Sequence, residues 1–288
     1  MTMRDHSLTA LPCGDYELLD SGDNMKLERF GAVVVARPET QALWQKQKPE
    51  LWDTAHAVFA FRDKKGSWDI RKPVPESWPV VREGVALSAR LTGFKHTGIF
   101  PEQTPNWKWI RERVQGLEQP KVLNLFGYTG AASVIAAAAG ASVTHVDASK
   151  QSLDWAHENA RLAHLPEEGI RWILDDALAF AKREARRGTT YDGIILDPPA
   201  FGRGAKGEVW KIEEDLPKLL EILKSLLSDK PGSFFLLNGY AAGYSPRSFA
   251  QAVESTFGAV EGEAGELLIK EVSSDRVIPA GIYVHFVR

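Results

Sequence analysis

From Val122 to Leu237 the chain alternates short apolar runs with stretches of helical period, and that alternation leaves few folds open. Val122 to Phe126, Val143 to Val146, Ile170 to Leu174, Gly193 to Leu196 and Ser233 to Leu237 read as buried strands. Between them lie helical stretches from Ala131 to Ala139, from Ser149 to about Ala163, from Asp176 to Arg187 and from about Ile212 to Leu227. Gly140 and Gly188 supply stop signals for two of these helices. Parallel strands need a crossover, usually a helix, so the pattern predicts an α/β fold with a doubly wound parallel sheet. A helix opened by Thr104-Pro105, with Trp107, Ile110, Val114 and Leu117 on one face, precedes the first strand. A further helix starts at Ser245-Pro246. Beyond it, Leu267 to Val272 and Ile282 to Val287 form two strands with no room for a crossover helix, so they must be antiparallel neighbours.

Upstream the period changes to two. Tyr16 to Leu19, Ala32 to Ala36, Val58 to Phe61 and Val85 to Leu91 read as short strands, separated by turns such as Ser21-Gly22-Asp23-Asn24 and Asp63-Lys64-Lys65-Gly66. A small β-rich N-terminal domain follows from this. Trp44, Trp52, Trp68 and Trp78 fall within it among Lys46, Lys48, Arg62, Lys64, Lys65, Arg71 and Lys72. Aromatics among cations can form a base-stacking platform, but core and rim tryptophans beside solvated lysines are the favoured reading.

Cys13 is the single cysteine, which excludes an intramolecular disulfide and any cysteine-rich metal site. The seven histidines show no ligand spacing, so no metal is expected. The longest apolar run, around Ala131 to Ala139, is too short to span a bilayer, and Met1 to Asp23 lacks the pattern of a signal segment. A cytoplasmic location, with no membrane partner, is the resulting expectation. The formal net charge of -3 offers no support for a nucleic-acid partner, although it does not exclude a local basic face.

The candidate chemistry sits at successive strand ends. Leu125-Phe126-Gly127-Tyr128-Thr129-Gly130 joins the first parallel strand to its helix, where glycines allow close backbone approach and a helix N-terminus can face an anion. Asp147, about twenty residues further on, ends the second strand where a carboxylate can take both hydroxyls of a ribose. Asp175 and Asp176 follow the third strand. Asp176 is favoured for an adenine amino group, although either residue can equally cap the next helix. Asp197-Pro198-Pro199-Ala200-Phe201 leaves the fourth strand, and its two prolines lack donors and fix φ, so the turn is stiff, with carbonyls expected to be unpaired. Gly202-Arg203-Gly204-Ala205-Lys206-Gly207 continues as a glycine-rich loop with two cations, read either as a substrate lid or phosphate contact or as an ordinary flexible loop, with Trp210 anchoring its far end.

This order resembles the class I S-adenosylmethionine-dependent methyltransferases. Val122-Leu123-Asn124-Leu125-Phe126-Gly127-Tyr128-Thr129-Gly130, the preceding His96-Thr97-Gly98-Ile99-Phe100-Pro101-Glu102-Gln103, and Asp197-Pro198-Pro199-Ala200-Phe201 are similar to the bacterial large-subunit ribosomal RNA methyltransferases of the I and K/L types. The resemblance implies a seven-stranded doubly wound sheet closed by the C-terminal antiparallel hairpin. The resemblance covers residues 94–288, the expected methyltransferase domain; ahead of it the residues read as a flexible tail at 1–13 and the β-rich domain at 14–93. S-adenosylmethionine is the implied cofactor. Phe100, Gln103, Phe126, Gly127, Tyr128, Thr129, Gly130, Asp147, Ala148, Asp176, Ala177 and Asp197 are its implied contacts. Asp197, Pro198, Pro199 and Phe201 are the implied catalytic turn, the carboxylate and the Pro198 carbonyl accepting a target N–H and Phe201 stacking on a base. Arg276, in the terminal hairpin, is expected toward the substrate.

Two departures from the family bear on the acceptor. Many relatives carry lysine where Ala200 stands. Relatives that make 5-methylcytosine have a cysteine near the end of the fifth strand, where this chain has Asn238 and Tyr240, so nitrogen or oxygen methylation of a ribosomal RNA base is the expectation. No PUA or THUMP RNA-binding domain is recognisable. A small-molecule or protein acceptor, a non-catalytic S-adenosylmethionine-binding module and, at the level of fold, a nicotinamide oxidoreductase remain as alternatives. Both a monomer and a homodimer remain open.

Overall fold

A computed structural model describes residues 3–62, 65–204, 207–240 and 243–288. The chain divides into two compact units, one comprising residues 1–8, 106–266 and 281–288, the other residues 9–105 and 267–280.

The first unit is built on one large sheet. Strands β1 (Lys121–Leu125), β2 (Ser142–Asp147), β3 (Ile170–Leu174), β4 (Gly193–Leu196), β5 (Phe234–Gly239), β6 (Glu261–Lys270) and β7 (Val277–Val287) lie in the order β6-β7-β5-β4-β1-β2-β3. All pairings from β5 through β3 are parallel, whereas β7 runs antiparallel to β5 from Phe234 opposite Val287 to Gly239 opposite Ile282. This is the doubly wound sheet with its terminal hairpin that the alternation predicts. The strand order reverses between β4 and β1, and in open α/β sheets the crevice at such a reversal is where ligands bind.

The helices are α1 (Thr104–Gln115), α2 (Ala131–Ala138), α3 (Lys150–Leu162), α4 (Ala177–Arg187), α5 (Ile212–Leu226) and α6 (Pro246–Phe257). Their ends follow from local chemistry. Ser149, Asp176 and Ser245 accept the backbone N–H three residues on, and Gly188 closes α4 in the left-handed conformation at φ 66° after Arg186 and Arg187 have placed positive charge in its last turn. Leu123, Leu125, Ile194, Leu196, Phe235 and Leu237 are buried on the strands, and Phe180, Leu219, Leu220 and Leu223 bring α4 and α5 into the same core. Trp109 on α1 stacks on His285 of β7, with ring centroids 4.2 Å apart.

Three expectations need correction here. Residues 4–13 are not a flexible tail: Arg4–Asp5 pairs in parallel with Glu263–Ala264, and the Cys13 and Tyr16 backbones exchange hydrogen bonds. β6 starts at Glu261, not Leu267, because Gly262 and Gly265 lack the side chains that signal a strand. A Cβ at Gly265 would stand 1.9 Å from the His6 carbonyl oxygen, so bare backbone is what lets the N-terminal segment lie there. The segment after β4 contains a short antiparallel ribbon, Phe201–Arg203 with Val209–Lys211, where a loop was expected. Strands that short, with Gly202 inside one of them, give almost no periodic signal.

The second unit holds a five-stranded sheet of Tyr16–Gly22, Met25–Phe30, Val33–Pro38, Ala57–Arg62 and Lys65–Ile70, plus the hairpin Trp78–Arg82 with Val85–Ala89. Asp23 and Asn24 turn the first hairpin with both φ values positive, as a tight two-residue turn requires. Asp63 and Lys64 of the second expected turn lie outside the described residues. All four indole N–H groups of Trp44, Trp52, Trp68 and Trp78 are bound within this unit, to Ser21, Asp20, Thr92 and Phe30 respectively, as the structural reading expects.

The strand Met25–Phe30 carries a buried ion cluster. Arg37 donates to both oxygens of Glu28, at 2.5 and 2.9 Å, and Tyr16 donates to Glu28 Oε1 at 2.8 Å. Lys26 Nζ stands 3.8 Å from Glu28 and 3.2 Å from Glu39. Burial alone would raise the Glu28 carboxyl, but the charges of Arg37 and Lys26 together with these hydrogen bonds hold it at about 2. Glu28→Ala would leave the Arg37 guanidinium buried without its counter-charge, so urea unfolding is expected to show a loss of about 3–5 kcal/mol. Because the folded value lies below the unfolded one, the contribution of Glu28 is complete above about pH 4.3 and disappears as the pH falls toward 2, which an acid unfolding series on wild type and Glu28→Gln would reveal.

Candidate active site

The register of the sheet brings the expected residues to one edge. Leu125 pairs with both Val146 and Leu196, and Leu196 pairs with Leu237. Phe126, Asp147, Asp197 and Asn238, each one residue further on, therefore leave β1, β2, β4 and β5 at the same level. Asp147 itself pairs with Leu174, and the Asp175 N–H donates to the Asp147 carbonyl at 3.1 Å, so the Asp175-Asp176 pair adjoins the same edge.

Asp147 organises this edge. Its Oδ2 accepts the Tyr128 N–H and its Oδ1 the Ser149 N–H, both at 2.8 Å. Burial pushes the carboxyl upward from its usual value, and the two N–H donors draw it part of the way back. Ser149, not Asp147, caps α3, through the Ser152 N–H at 3.2 Å. Each Asp147 oxygen has a second lone pair, the acceptor chemistry a ribose diol needs.

The loop between β1 and α2 is tightly bound from beneath. Gly127 N–H donates to the Val146 carbonyl at 3.1 Å, Gly130 N–H to the Gly127 carbonyl at 2.9 Å, and Asn159 Nδ2 of α3 to the Thr129 carbonyl at 2.8 Å. Phe126, Tyr128 and Gly130 all take positive φ, at 57°, 49° and 81°; two of these are non-glycine residues, and such conformations persist only where surrounding bonds impose them. The glycines answer a packing requirement as well. A Cβ on Gly127 would lie 2.3 Å from His145 Cε1, and one on Gly130 would lie 2.8 Å from the Ala156 Cβ. Both missing side chains point at protein. The loop thus rests on the His145 ring, which is fully buried and fixed by Ser133 Oγ at 2.9 Å; Ser133 in turn accepts from Asn124 Nδ2 at 2.8 Å. Burial, with a smaller contribution from His157, pushes His145 down to about 3, so it packs as a neutral ring.

At the third strand the structure assigns each aspartate a partner. Asp176 Oδ1 accepts the Ala179 N–H at 2.8 Å as the cap of α4, and Asp175 pairs with Arg183. The cap uses one Asp176 oxygen, and the second can accept from a ligand amine. Ala177 is buried in the first turn of α4, and Ala148 is half-buried beside Asp147.

The proline turn departs from expectation in one respect. The Pro199 carbonyl is paired, accepting Trp210 Nε1 at 2.7 Å. Trp210 is buried and packs edge-on against Phe126, with centroids 4.8 Å apart, so it ties the turn after β4 to the loop after β1. Asp197 is half-buried, Pro198 buried, and Phe201 54% exposed. Ala205 and Lys206 of the glycine-rich loop lie outside the described residues. Asn238 is buried and accepts Asn106 Nδ2 at 2.9 Å.

Phe100 and Gln103 belong to the second unit, where Phe100 precedes the single turn Pro101–Gln103 and Gln103 is buried. Arg276 belongs there too: its guanidinium donates to the Gln45 carbonyl at 2.9 Å and lies over the Trp44 ring. Sequence reasoning missed Asn159 and the Asn124-Ser133-His145 chain, since lone polar residues inside helices and strands carry no motif. Among the described residues no group of histidine, cysteine, aspartate or glutamate side chains could hold a metal ion, and no helix is long and apolar enough to cross a membrane.

Residues 37–248 match the family model described as S-adenosylmethionine-dependent methyltransferase. A crystal structure of the SAM-dependent methyltransferase from Agrobacterium tumefaciens superposes with a TM-score of 0.93 at 42% identity, covering 99% of this chain and 95% of that one. The chain belongs to the S-adenosylmethionine-dependent methyltransferase family. A putative SAM-dependent methyltransferase from Streptococcus mutans, at 21% identity and a TM-score of 0.74 over 95% of this chain and 75% of that one, shares the fold. Among curated relatives, ribosomal RNA large subunit methyltransferase K/L of Shewanella frigidimarina is 34% identical over 169 residues, 57% of this chain and 23% of that protein. Ribosomal RNA large subunit methyltransferase K of Neisseria meningitidis is 28% identical over 220 residues, 72% of this chain and 61% of that protein. The chain thus spans less than two thirds of these curated relatives.

The residues present suit the family's cofactor. Asp147 keeps acceptor capacity at a strand end, and α2 begins at Gly130 with no side-chain hydrogen bond capping its first turn, so its first N–H groups are donors of the kind a carboxylate takes.

Gly127→Ala is expected to destabilise the fold by about 1–3 kcal/mol, because the buried His145 ring has nowhere to move. Combining it with His145→Ala should return part of that loss. Equilibrium urea unfolding of the two single variants and the double variant checks this coupling.

Proposed function

We propose that this chain transfers a methyl group from S-adenosylmethionine to a nitrogen, or an oxygen, of a base in ribosomal RNA. The observation that carries the reading is the Asp197-Pro198-Pro199 turn, level with the glycine loop on the adjacent strand β1, in a unit that contains no cysteine. Carbon methylation of a pyrimidine by covalent addition needs a thiolate. Direct attack by a nitrogen or oxygen lone pair does not. Support for an RNA base comes from the names of the curated relatives.

In this reading the first turn of α2, with Gly127, Tyr128, Thr129 and Gly130, holds the carboxylate end of the cofactor. Asp147 accepts the ribose hydroxyls with Ala148 beside it, and the second oxygen of Asp176 accepts the adenine amine above Ala177. Phe126 walls the pocket. When bound, the cofactor supplies a methyl carbon on a positively charged sulfur, so neither metal nor acid is required to activate it. Asp197 and the Pro198 carbonyl accept the N–H of the target, and this aims the nitrogen lone pair along the line of attack. Transfer would break the methyl–sulfur bond as the N–C bond formed, leaving a neutral thioether, and the Asp197 carboxylate or water would take the surplus proton. Pro199 is held by Trp210 and keeps the turn stiff, while Phe201 stacks on the base. The reading places the chain in the cytoplasm with ribosomal RNA as its partner, as a monomer or a homodimer.

A second reading, with a small-molecule or protein acceptor, draws on the net charge of -3. Purified chain supplied with methyl-labelled cofactor and deproteinised ribosomal RNA from a strain lacking it separates the two. Label in RNA, mapped by mass spectrometry, is the expected result; no label in RNA despite cofactor binding would favour the second. Asp197→Ala is expected to reduce kcat by about a hundredfold or more while cofactor affinity, measured by calorimetry, changes much less. Asp147→Ala should do the reverse, raising the cofactor Kd at least about tenfold.

A further inference from the structure

The ribbon that follows the proline turn has two unlike faces. Phe201 lies opposite Lys211, Gly202 opposite Trp210, and Arg203 opposite Val209. Side chains alternate along a strand, so Gly202 and Trp210 share one face and the other two pairs share the opposite face. The Gly202-Trp210 face is turned inward: Trp210 is 5% exposed, packs on Phe126 and holds the Pro199 carbonyl. The other face is turned to solvent. Phe201 and Val209 are 54% and 52% exposed, and Arg203 and Lys211 are exposed between and beside them.

A ribbon fastened to the reaction centre by its inner face, with large apolar groups on its outer face, is not explained by packing. Its charge narrows the occupant. Arg203, Lys206 and Lys211 outnumber Glu208 in the sequence of this hairpin, with Lys211 Nζ held by Glu214 at 2.8 Å, so the segment carries a net positive charge that suits a nucleic-acid strand. An aromatic ring, an aliphatic side chain and a guanidinium plane suit the faces of unstacked bases.

Building on the RNA reading of the site, we propose that the outer face of this ribbon, through Arg203 and Val209, docks the nucleotide next to the target base in single-stranded RNA. The target enters over Phe201 and its neighbour continues along the ribbon onto Val209 and the Arg203 guanidinium. The strand must be unpaired there, because a duplex buries the base faces that this surface contacts.

The test compares wild type with Arg203→Ala/Val209→Ser in methyl transfer to deproteinised ribosomal RNA from a strain lacking the chain. Both positions are exposed and lie outside the groups assigned to cofactor and chemistry. The KM for RNA is expected to rise about tenfold, as loss of base contacts produces, with kcat within about twofold and cofactor affinity by calorimetry unchanged. Val209→Leu, which keeps the apolar contact, should retain the wild-type KM and so separates lost contact from a disturbed hairpin. A labelled RNA fragment containing the modified site should lose methyl acceptance when annealed to its complement. An unchanged KM in the double variant, or equal transfer to the annealed duplex, overturns the ribbon while leaving RNA as the acceptor. Absence of transfer to any RNA, with cofactor still bound, overturns the RNA reading and the ribbon with it.

Discussion

A single carboxylate holds the working edge of the sheet together. Asp147 accepts one N–H from the loop after β1 and one from the start of the segment leading into α3, so two connections on adjacent strands are fixed by one half-buried side chain. A carboxylate drawn partly out of water is tolerated when its oxygens find donors, and here the donors are two backbone N–H groups. The arrangement holds both connections in a fixed conformation. It also explains why Phe126 and Tyr128 stay in left-handed conformations that their side chains disfavour: the Tyr128 N–H has a strong acceptor waiting, and Asn159 pins the next carbonyl.

Beneath that loop the packing is equally constrained. His145 occupies the space that a side chain at Gly127 would need, and its ring is locked by Ser133 and Asn124. The missing side chains of these glycines are therefore a requirement of the protein's own packing. Trp210 performs the corresponding task from above, joining the proline turn to Phe126. The loop after β1 and the turn after β4 are thus mechanically linked through two aromatic rings.

What could be read beforehand follows the strength of periodic signals. The strands from Lys121 to Gly239 and the helices between them were legible because parallel strands buried on both faces are uniformly apolar and helices announce their caps. Asp147 and Asp197 were legible as strand-end carboxylates, and Asp176 as a residue with two possible tasks, of which the structure displays the capping one. The strand Met25–Phe30 escaped notice because Lys26 and Glu28, polar in sequence, are buried with Arg37 and Tyr16. Asn159 and His145 escaped because a buried polar residue becomes meaningful only once its partner from a distant segment is known. Pro199 was expected to offer a bare carbonyl, and only the tertiary fold could supply the indole that occupies it.

The parallel pairing of Arg4–Asp5 with β6 bears on how this molecule coexists with copies of itself. An uncovered strand at the margin of a sheet is a template onto which another chain can add. Here the N-terminal segment occupies that margin, and Gly262 and Gly265 give it a groove of bare backbone in which to lie. Shortening the chain by these few residues, or displacing them with a bulky fusion partner, would unmask a ready-made pairing edge. Solubility at high concentration would then be the first property to fail, well before any change at the strand ends where methyl transfer is proposed.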